Sequence, residues 1–514
     1  MRNLRKLFLR DALALARYHK PIPIMSTPES FRRTKIIATL GPASNSAEVL
    51  EALLQAGVNI VRLNFSHGDA AQHAALAEMA RSIAARLGRE VGVLVDLQGP
   101  KIRIEKFAAG RVSVRAGQPF ELLCQADAAA GDEHRVGVSY LGLVTDVHPA
   151  DTLLLDDGLI ALRVESITGT SIHTTVLTDG VLSNRKGLNR LGGGLSLGAL
   201  TMKDRDDIVA AAAIQAEFLA ISFCRNAEDM HEARRLARAA GFDPALVAKI
   251  ERAEAIDALG EIIDASDVVM VARGDLGVEI GDAELPGLQK KIIRESLERN
   301  RVVITATQML QSMVDNPIPT RAEVLDVANA VIDGTDAVML SAESASGAYP
   351  VKAVQSMTRI CLGAERQFEF DTNFEKEPRN LQYADQAIAM ATMFLAEHIK
   401  VRAIIALTET GGTARFLSRF RSAVPIFGLS RHQTARRRMA MMRDVFPVAF
   451  DSRGLAPRDA AREAVQQLFT AGLLGTGDKV IFTSGEYMEL KGATNTLRLL
   501  EVGPHGAAQG VGDL

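Results

Sequence analysis

Eight short apolar runs, most of them followed by a segment of helical period, constrain the fold of this chain more than any other feature. They fall at residues 35–40, 59–65, 91–97, 217–223, 246–250, 268–272, 301–306 and 337–341. Residues 70–87 and 204–215 illustrate the helices between them. Strands that alternate with helices in this way pair in parallel. Eight such units in about the length of one domain point to a closed (β/α)₈ TIM barrel with its site at the C-terminal strand ends. Polar residues fall at those ends: Arg62, Asn64, Ser66 and His67 end the second run, Asp96 the third, Ser222 the fourth, Thr307 the seventh, and Ser341 and Glu343 the eighth. Residues this scattered converge only if the barrel closes.

The step over residues 247–280 concentrates the chemistry. Period-2 alternation puts Lys249 and Glu251 on one face of their strand, because Ile250 points the other way. Asp275 arrives at the same end of the next strand, so one βαβ unit gathers two carboxylates and an ammonium. A hard divalent ion such as Mg²⁺ takes one or two carboxylates and fills its shell with water and substrate oxygens, and this is such a ligand set. Gly274-Asp275-Leu276-Gly277 opens a helix-like segment whose free N–H groups suit a carboxylate or phosphate. The alternative is a solvated Lys249–Glu251 pair beside a simple Arg273-Gly274-Asp275 turn.

The rhythm breaks after the third run. Residues 104–185 lose helical period and show short β-like runs punctuated by glycines, as expected of a small β-barrel inserted in a barrel loop and standing over the site as a lid. A charged stretch at 374–379 then leads to a further α/β pattern, with strands expected at 403–407, 425–429, 445–450 and 479–483. In it, Thr408-Glu409-Thr410-Gly411-Gly412-Thr413 is either a phosphate cradle or a threonine-capped strand-to-helix turn. The expected segments are an extension at 1–27, the barrel at 28–103 and 186–368, the lid at 104–185 and a C-terminal α/β regulatory domain at 369–514. The Arg-rich residues 1–24 read as an amphipathic presequence or as an extra leader before a second start at Met25.

Composition closes off other classes. With 514 residues, 47% hydrophobic and 24% charged, and a net charge of −3, this is an ordinary globular chain of about three domains. No basic excess points to a nucleic-acid partner. The three cysteines, Cys124, Cys224 and Cys361, are too far apart for CxxC metal spacing, which favours a reduced, cytoplasmic setting. No apolar run approaches the ~18 residues of a membrane span.

Five motifs carry a family resemblance: Thr34-Lys35-Ile36-Ile37-Ala38-Thr39-Leu40-Gly41-Pro42, Arg62-Leu63-Asn64-Phe65-Ser66-His67-Gly68, Lys249-Ile250-Glu251, Arg273-Gly274-Asp275-Leu276-Gly277 and Ala306-Thr307-Gln308-Met309-Leu310. From Thr34 to about Gly503 the chain resembles the pyruvate kinases. The resemblance implies transfer of the phosphoryl group of phosphoenolpyruvate to ADP, giving pyruvate and ATP, in a homotetramer whose C-terminal domain binds effectors. It implies Glu251 and Asp275 as ligands of Mg²⁺ (or Mn²⁺), and Lys249 as the contact to the transferring group and the enolate. Arg62 would hold the phosphate, and Gly274, Asp275 and Thr307 the substrate carboxylate. Asn64, Phe65, Ser66, His67, Arg103 and Lys186 would contact nucleotide. For the proton donor to the enolate, Thr307, Ser341 and an intervening water are the candidates. Thr408, Thr410, Gly411, Gly412 and Thr413 match the effector loop, which in the family answers to sugar phosphates or AMP.

The family's K⁺ pocket would be Asn64, Ser66, Asp96 and Leu97. Here Asp96-Leu97-Gln98-Gly99-Pro100-Lys101 carries Lys101 where the best-known members have Glu. A covalent ammonium is expected to replace the bound K⁺; otherwise Lys101 faces solvent and the pocket still binds the ion. Two other readings remain at this point: a Mg²⁺-dependent aldolase or lyase barrel, and a metabolite-sensing relic without activity. The first needs neither the Arg62–His67 turn nor a lid, and the second predicts loss of a charged catalytic residue, of which none is lost.

Overall fold

A strand covered on both faces reads as an unbroken apolar run, and the eight runs are such strands. In the computed structural model they are β1 (Lys35–Thr39), β2 (Ile60–Asn64), β3 (Gly92–Asp96), β4 (Phe218–Ile221), β5 (Ala245–Ile250), β6 (Val268–Ala272), β7 (Val302–Ala306) and β8 (Ala337–Leu340). They pair in parallel in chain order and close when β8 pairs with β1, Lys35 opposite Ala337. The structure describes residues 31–367, 381, 383–420, 422–487 and 490–510; the leader at 1–24 and the charged stretch at 374–379 lie outside them.

Helix ends are set by local chemistry. Thr201 with Asp204, and Thr320 with Glu323, form capping boxes that start the helices Met202–Ile214 and Arg321–Asp333. Each satisfies two backbone donors that a helix start leaves open. Among the described residues no helix is long and apolar enough to cross a membrane.

Between β3 and β4 the chain leaves the barrel and builds two sheets of its own. Six strands order as Leu188–Arg190, Thr152–Leu155, Ile160–Thr168, Ser171–Val176, Pro119–Leu123 and Arg135–Gly137, while Arg111–Val114 pairs with Gly180–Ser183 as a separate ribbon. Residues 102–105 bond to both edges of the six-stranded sheet, Leu188 N–H donating to the Ile102 carbonyl at 3.0 Å and Glu105 N–H to the Gly137 carbonyl at 2.8 Å, so its first and last strands are joined into the expected small barrel. Alternation drives it: Phe120, Leu122, Leu153, Leu162 and Val164 turn inward into one apolar core. The two chain crossings are joined, since Arg103 bridges Gly187 and Ile104 N–H donates to the Lys186 carbonyl at 2.9 Å.

Barrel and insertion form one compact unit, and a second consists mainly of the chain from Glu365 onward. In that second unit Ala403–Leu407, Ile426–Ser430, Val445–Ala449 and Lys479–Gly485 make a parallel sheet. Two further strands, Thr494–Val502 and Ala508–Gly510, extend it antiparallel. Sequence reasoning missed this edge because most of Thr494–Val502 is only half-buried and carries no clean alternation.

Candidate active site

The C-terminal ends of β2, β3, β4 and β5 bring five polar side chains to one point. Lys249 Nζ lies 2.9 Å from Glu251 Oε1 and 3.2 Å from Asp96 Oδ1, and donates to Ser222 Oγ at 2.7 Å. Ser222 Oγ in turn donates to the Leu97 carbonyl at 2.7 Å. Arg62 reaches Asp96 from the other side, with Nε 2.7 Å from Oδ2, and its Nη1 donates to Thr39 Oγ1 at 2.9 Å. All these charges are nearly sealed from water; the Lys249 side chain is 11% exposed and that of Asp96 1%.

Taking an ion out of water costs several kcal/mol unless partners replace the lost solvation. Burial pulls the Lys249 ammonium down, but Asp96 and Glu251 outweigh it, so the proton is held more tightly than on an ordinary lysine. Burial likewise raises Asp96, and Lys249 and Arg62 together reverse it, leaving the carboxyl below its usual range. Glu251 goes the other way. Burial lifts its carboxyl above the usual range, Lys249 opposes this, and the like charge of Asp275 adds to it. A cation between the two carboxylates would relieve that strain.

Asp275 sits in the first turn of the helix Arg273–Ile280, which starts where β6 ends. Its Oδ1 is 2.8 Å from Lys101 Nζ. Gly274 N–H donates to Thr307 Oγ1 at 2.8 Å, and a Cβ built on Gly274 would stand in ordinary contact with that threonine, 3.7 Å from its hydroxyl oxygen. Thr307 and Gln308 adopt φ of 66° and 53°, a left-handed conformation that costs a non-glycine residue about 1–3 kcal/mol. Arg273 holds them there: its Nη2 and Nε donate to the Thr307 carbonyl at 2.8 and 3.2 Å, and Nη1 reaches Asp326 at 2.7 Å. At the end of β8, Ser341 N–H and Leu310 N–H both donate to buried Glu343, at 2.7 and 3.0 Å.

The turn after β2 is fixed by its neighbours. Asn64 Oδ1 accepts from Ser66 N–H at 3.2 Å, Lys203 Nζ donates to the Phe65 carbonyl at 2.8 Å, and His73 stacks on Phe65 at 4.4 Å while its Nε2 lies 2.8 Å from the His67 carbonyl.

This arrangement can hold an anionic substrate and one divalent ion. Among the described residues no group of three or more acidic, histidine or cysteine side chains could hold a metal, so Glu251 and Asp275 would supply only two ligands. That fits an ion which keeps water and substrate oxygens in its shell.

A family model described as the pyruvate kinase barrel domain matches residues 31–354, and one for the pyruvate kinase alpha/beta domain matches residues 386–500. Pyruvate kinase II of Salmonella typhimurium is 52% identical over 477 residues, covering 92% of this chain and 99% of the relative. Pyruvate kinases of Haemophilus influenzae and Clostridium acetobutylicum are 48% and 37% identical over 469 and 470 residues, covering 90% and 91% of this chain and 97% and 99% of theirs. The chain belongs to the pyruvate kinase family. It is therefore a phosphotransferase, and the lyase and inactive-sensor readings fall away.

Within this pyruvate kinase fold the remaining expected residues divide. Lys101 meets Asp275, while Asp96 is taken up by Lys249 and Arg62, and Asn64 stands opposite Asp96 in the strand register. Arg103 and Lys186 both sit at the root of the lid, where Arg103 Nη1 donates to the Arg185 carbonyl at 3.0 Å and Lys186 Nζ lies 2.8 Å from Asp156 Oδ1. In the second unit the 408–413 loop satisfies itself: Gly411 N–H donates to Thr408 Oγ1 at 3.0 Å, and Thr413 Oγ1 lies 2.7 Å from Thr494 Oγ1. Gly411, at φ 91°, is in the left-handed region, and a Cβ there would come within 2.9 Å of Met439. The helix Gly412–Ser418 begins on Gly411 with no side-chain cap.

Arg273 and Thr39 lie within the family motifs, but sequence alone assigns neither a role. Arg273 is adjacent to Gly274 and Asp275, but its partners lie 33 residues or more away, apart from Gln289, so no local pattern signals them.

Proposed function

We propose that the chain carries out the family reaction, phosphoryl transfer from phosphoenolpyruvate to ADP giving pyruvate and ATP, with Lys249 as its central cation. The observation that carries this is the sealed ammonium of Lys249 between Asp96, Glu251 and Ser222. Phosphoryl transfer is mostly positioning and charge neutralisation, so a preorganised cation whose position is already fixed lowers the barrier without reorganising in the act.

Arg62, anchored on Asp96 and Thr39, presents the rest of its guanidinium to the phosphate. The Gly274 and Asp275 N–H groups with the Thr307 hydroxyl hold the substrate carboxylate. Lys249 stabilises charge that develops on the enolate oxygen, and Thr307, Ser341 or a water between them delivers the proton to carbon. Asn64 to His67, Arg103 and Lys186 receive the nucleotide, the last two from the root of the lid, so lid closure brings them in and excludes water. Glu251 and Asp275 would hold Mg²⁺ or Mn²⁺, which supplies charge neutralisation between substrate and nucleotide phosphates.

Lys101 brings a fixed positive charge beside Asp275, which supports turnover without K⁺. The 408–413 loop is the proposed place for a phosphorylated metabolite or AMP, and a homotetramer the working assembly. Formation of ATP from phosphoenolpyruvate and ADP tests the reaction directly; absence of ATP with folded protein and Mg²⁺ would overturn it.

A further inference from the structure

The helix that presents Asp275 carries Glu279 one turn later, and the phosphoryl-transfer reading gives that residue nothing to do. Glu279 is only 3% exposed. One of its carboxylate oxygens accepts from the Ala253 N–H at 2.9 Å, two residues beyond Glu251. The other accepts from Asn189 Nδ2 at 3.3 Å, on the strand by which the chain returns from the lid. Its carbonyl accepts from the Gly192 N–H at 2.9 Å. A cavity opens at the same place, lined by Lys101 and Ile102 from the outgoing crossing, Asn189 and Leu195 from the returning one, and Arg252 and Glu279. Both chain crossings border that space, so a lid that moves must bend around it.

We propose that Glu279 is a positioning residue, a latch that ties the root of the lid to the Asp275 helix and to the loop after Glu251. This rests on Glu251 and Asp275 belonging to the transfer site. A carboxyl group is required, because donors from two different elements converge on its two oxygens, and an oxygen that carries a proton still accepts. A glutamine could accept only one of them and would turn an N–H toward the other.

Burial pushes the Glu279 carboxyl up to about 7, although Ala253 N–H and Arg252 pull the other way. The charged groups around it are Arg252, whose Nη2 is committed to the Leu195 carbonyl and to Glu254; Glu254, which accepts from Gly194 N–H at 2.6 Å; and Lys101 across the cavity. A carboxyl raised in the closed junction binds its proton more tightly there than when water reaches it, so protonation favours the closed latch. That contribution is complete below the ordinary carboxylate range and is lost as pH rises through about 7. The lid root therefore opens more readily on the alkaline side.

The test is hydrogen–deuterium exchange on the full chain, followed at the Gly192 and Ala253 amides between about pH 6 and pH 8.5 and corrected for intrinsic exchange. In the unmodified protein protection should fall as pH passes about 7, by up to about tenfold per unit. Glu279→Gln should lose protection at both amides, show no such pH dependence, and lower kcat/KM by roughly tenfold or more. Asn189→Ala, which removes one donor and leaves the carboxylate, should loosen Gly192 while Ala253 stays protected, and it decides the matter if the glutamine variant does not fold. Unchanged protection at Gly192 and Ala253 in these variants, or protection independent of pH in the unmodified protein, would overturn the latch. Loss of protection as described, together with full activity in Asp275→Asn, would instead overturn the transfer-site assignment.

Discussion

The ammonium of Lys101 lies 2.8 Å from Oδ1 of Asp275, joining the loop after β3 to the helix after β6, 174 residues apart in the chain. Both side chains are about a fifth to a quarter exposed, so the pair is an accessible charge contact within the proposed site and is worth little as a stabilising bridge. Its value is electrostatic placement. With a bulky tetraalkylammonium as the sole monovalent cation, near-full activity is expected, and Lys101→Glu should acquire dependence on K⁺. Steady-state rates with and without K⁺ decide it: an unmodified enzyme that is nearly inactive until K⁺ is added rules out this role for Lys101.

Asp275→Asn removes one of the two carboxylates proposed for the divalent ion. Half-saturation by Mg²⁺ should rise and turnover fall by about 100-fold or more, since among the described residues no third acidic ligand stands by. A Mg²⁺ titration of the initial rate that overlays the unmodified enzyme would show that Asp275 is not a ligand.

Lys249→Met separates binding from chemistry. The ammonium is already held in place by Asp96, Glu251 and Ser222, so its loss should lower kcat by about 100-fold or more while KM for phosphoenolpyruvate changes little. It should also cost about 3–5 kcal/mol of stability by leaving buried carboxylates short of a partner. Urea unfolding alongside kinetics checks both, and an unchanged kcat with a raised KM would make Lys249 a binding group only.

The Asp96 carboxyl is held low by Lys249 and Arg62 against its burial. A depressed carboxyl contributes stability that is present above its unfolded pKa and disappears as pH falls through the lower, folded one. Asp96→Asn should therefore flatten the acid side of the stability curve while lowering stability at neutral pH, measured as unfolding midpoints from about pH 3 to pH 7. An acid limb identical to that of the unmodified protein would show that Asp96 does not carry it.

Arg273→Lys keeps the charge and loses the fork. One ammonium cannot serve the Thr307 carbonyl, Asp326 and Met309 Sδ at once. Thr307 and Gln308 should relax from their left-handed conformation, raising KM for phosphoenolpyruvate by roughly tenfold, with a stability loss of about 2–3 kcal/mol. Unchanged KM would mean the turn holds itself.

Much of this protein was legible from sequence because a barrel strand is apolar on both faces over most of its length and turns polar toward its C-terminal end. That single rule located all eight barrel strands and brought Arg62, Asp96, Ser222, Lys249 and Thr307 to the same strand ends before any coordinate was known. Local alternation placed an inserted β region, and a glycine-rich turn marked the 408–413 loop. What the sequence could not determine is which partner each charged group takes. Lys101 meets Asp275, Arg273 grips Thr307, and Glu279 joins the lid root to Ala253 across separations of 26 to 174 residues. Periodicity and spacing fix the direction of a side chain relative to its own strand or helix. The contacts that tune these groups arise only when strands from distant parts of the chain close the barrel and exclude water from the space between them.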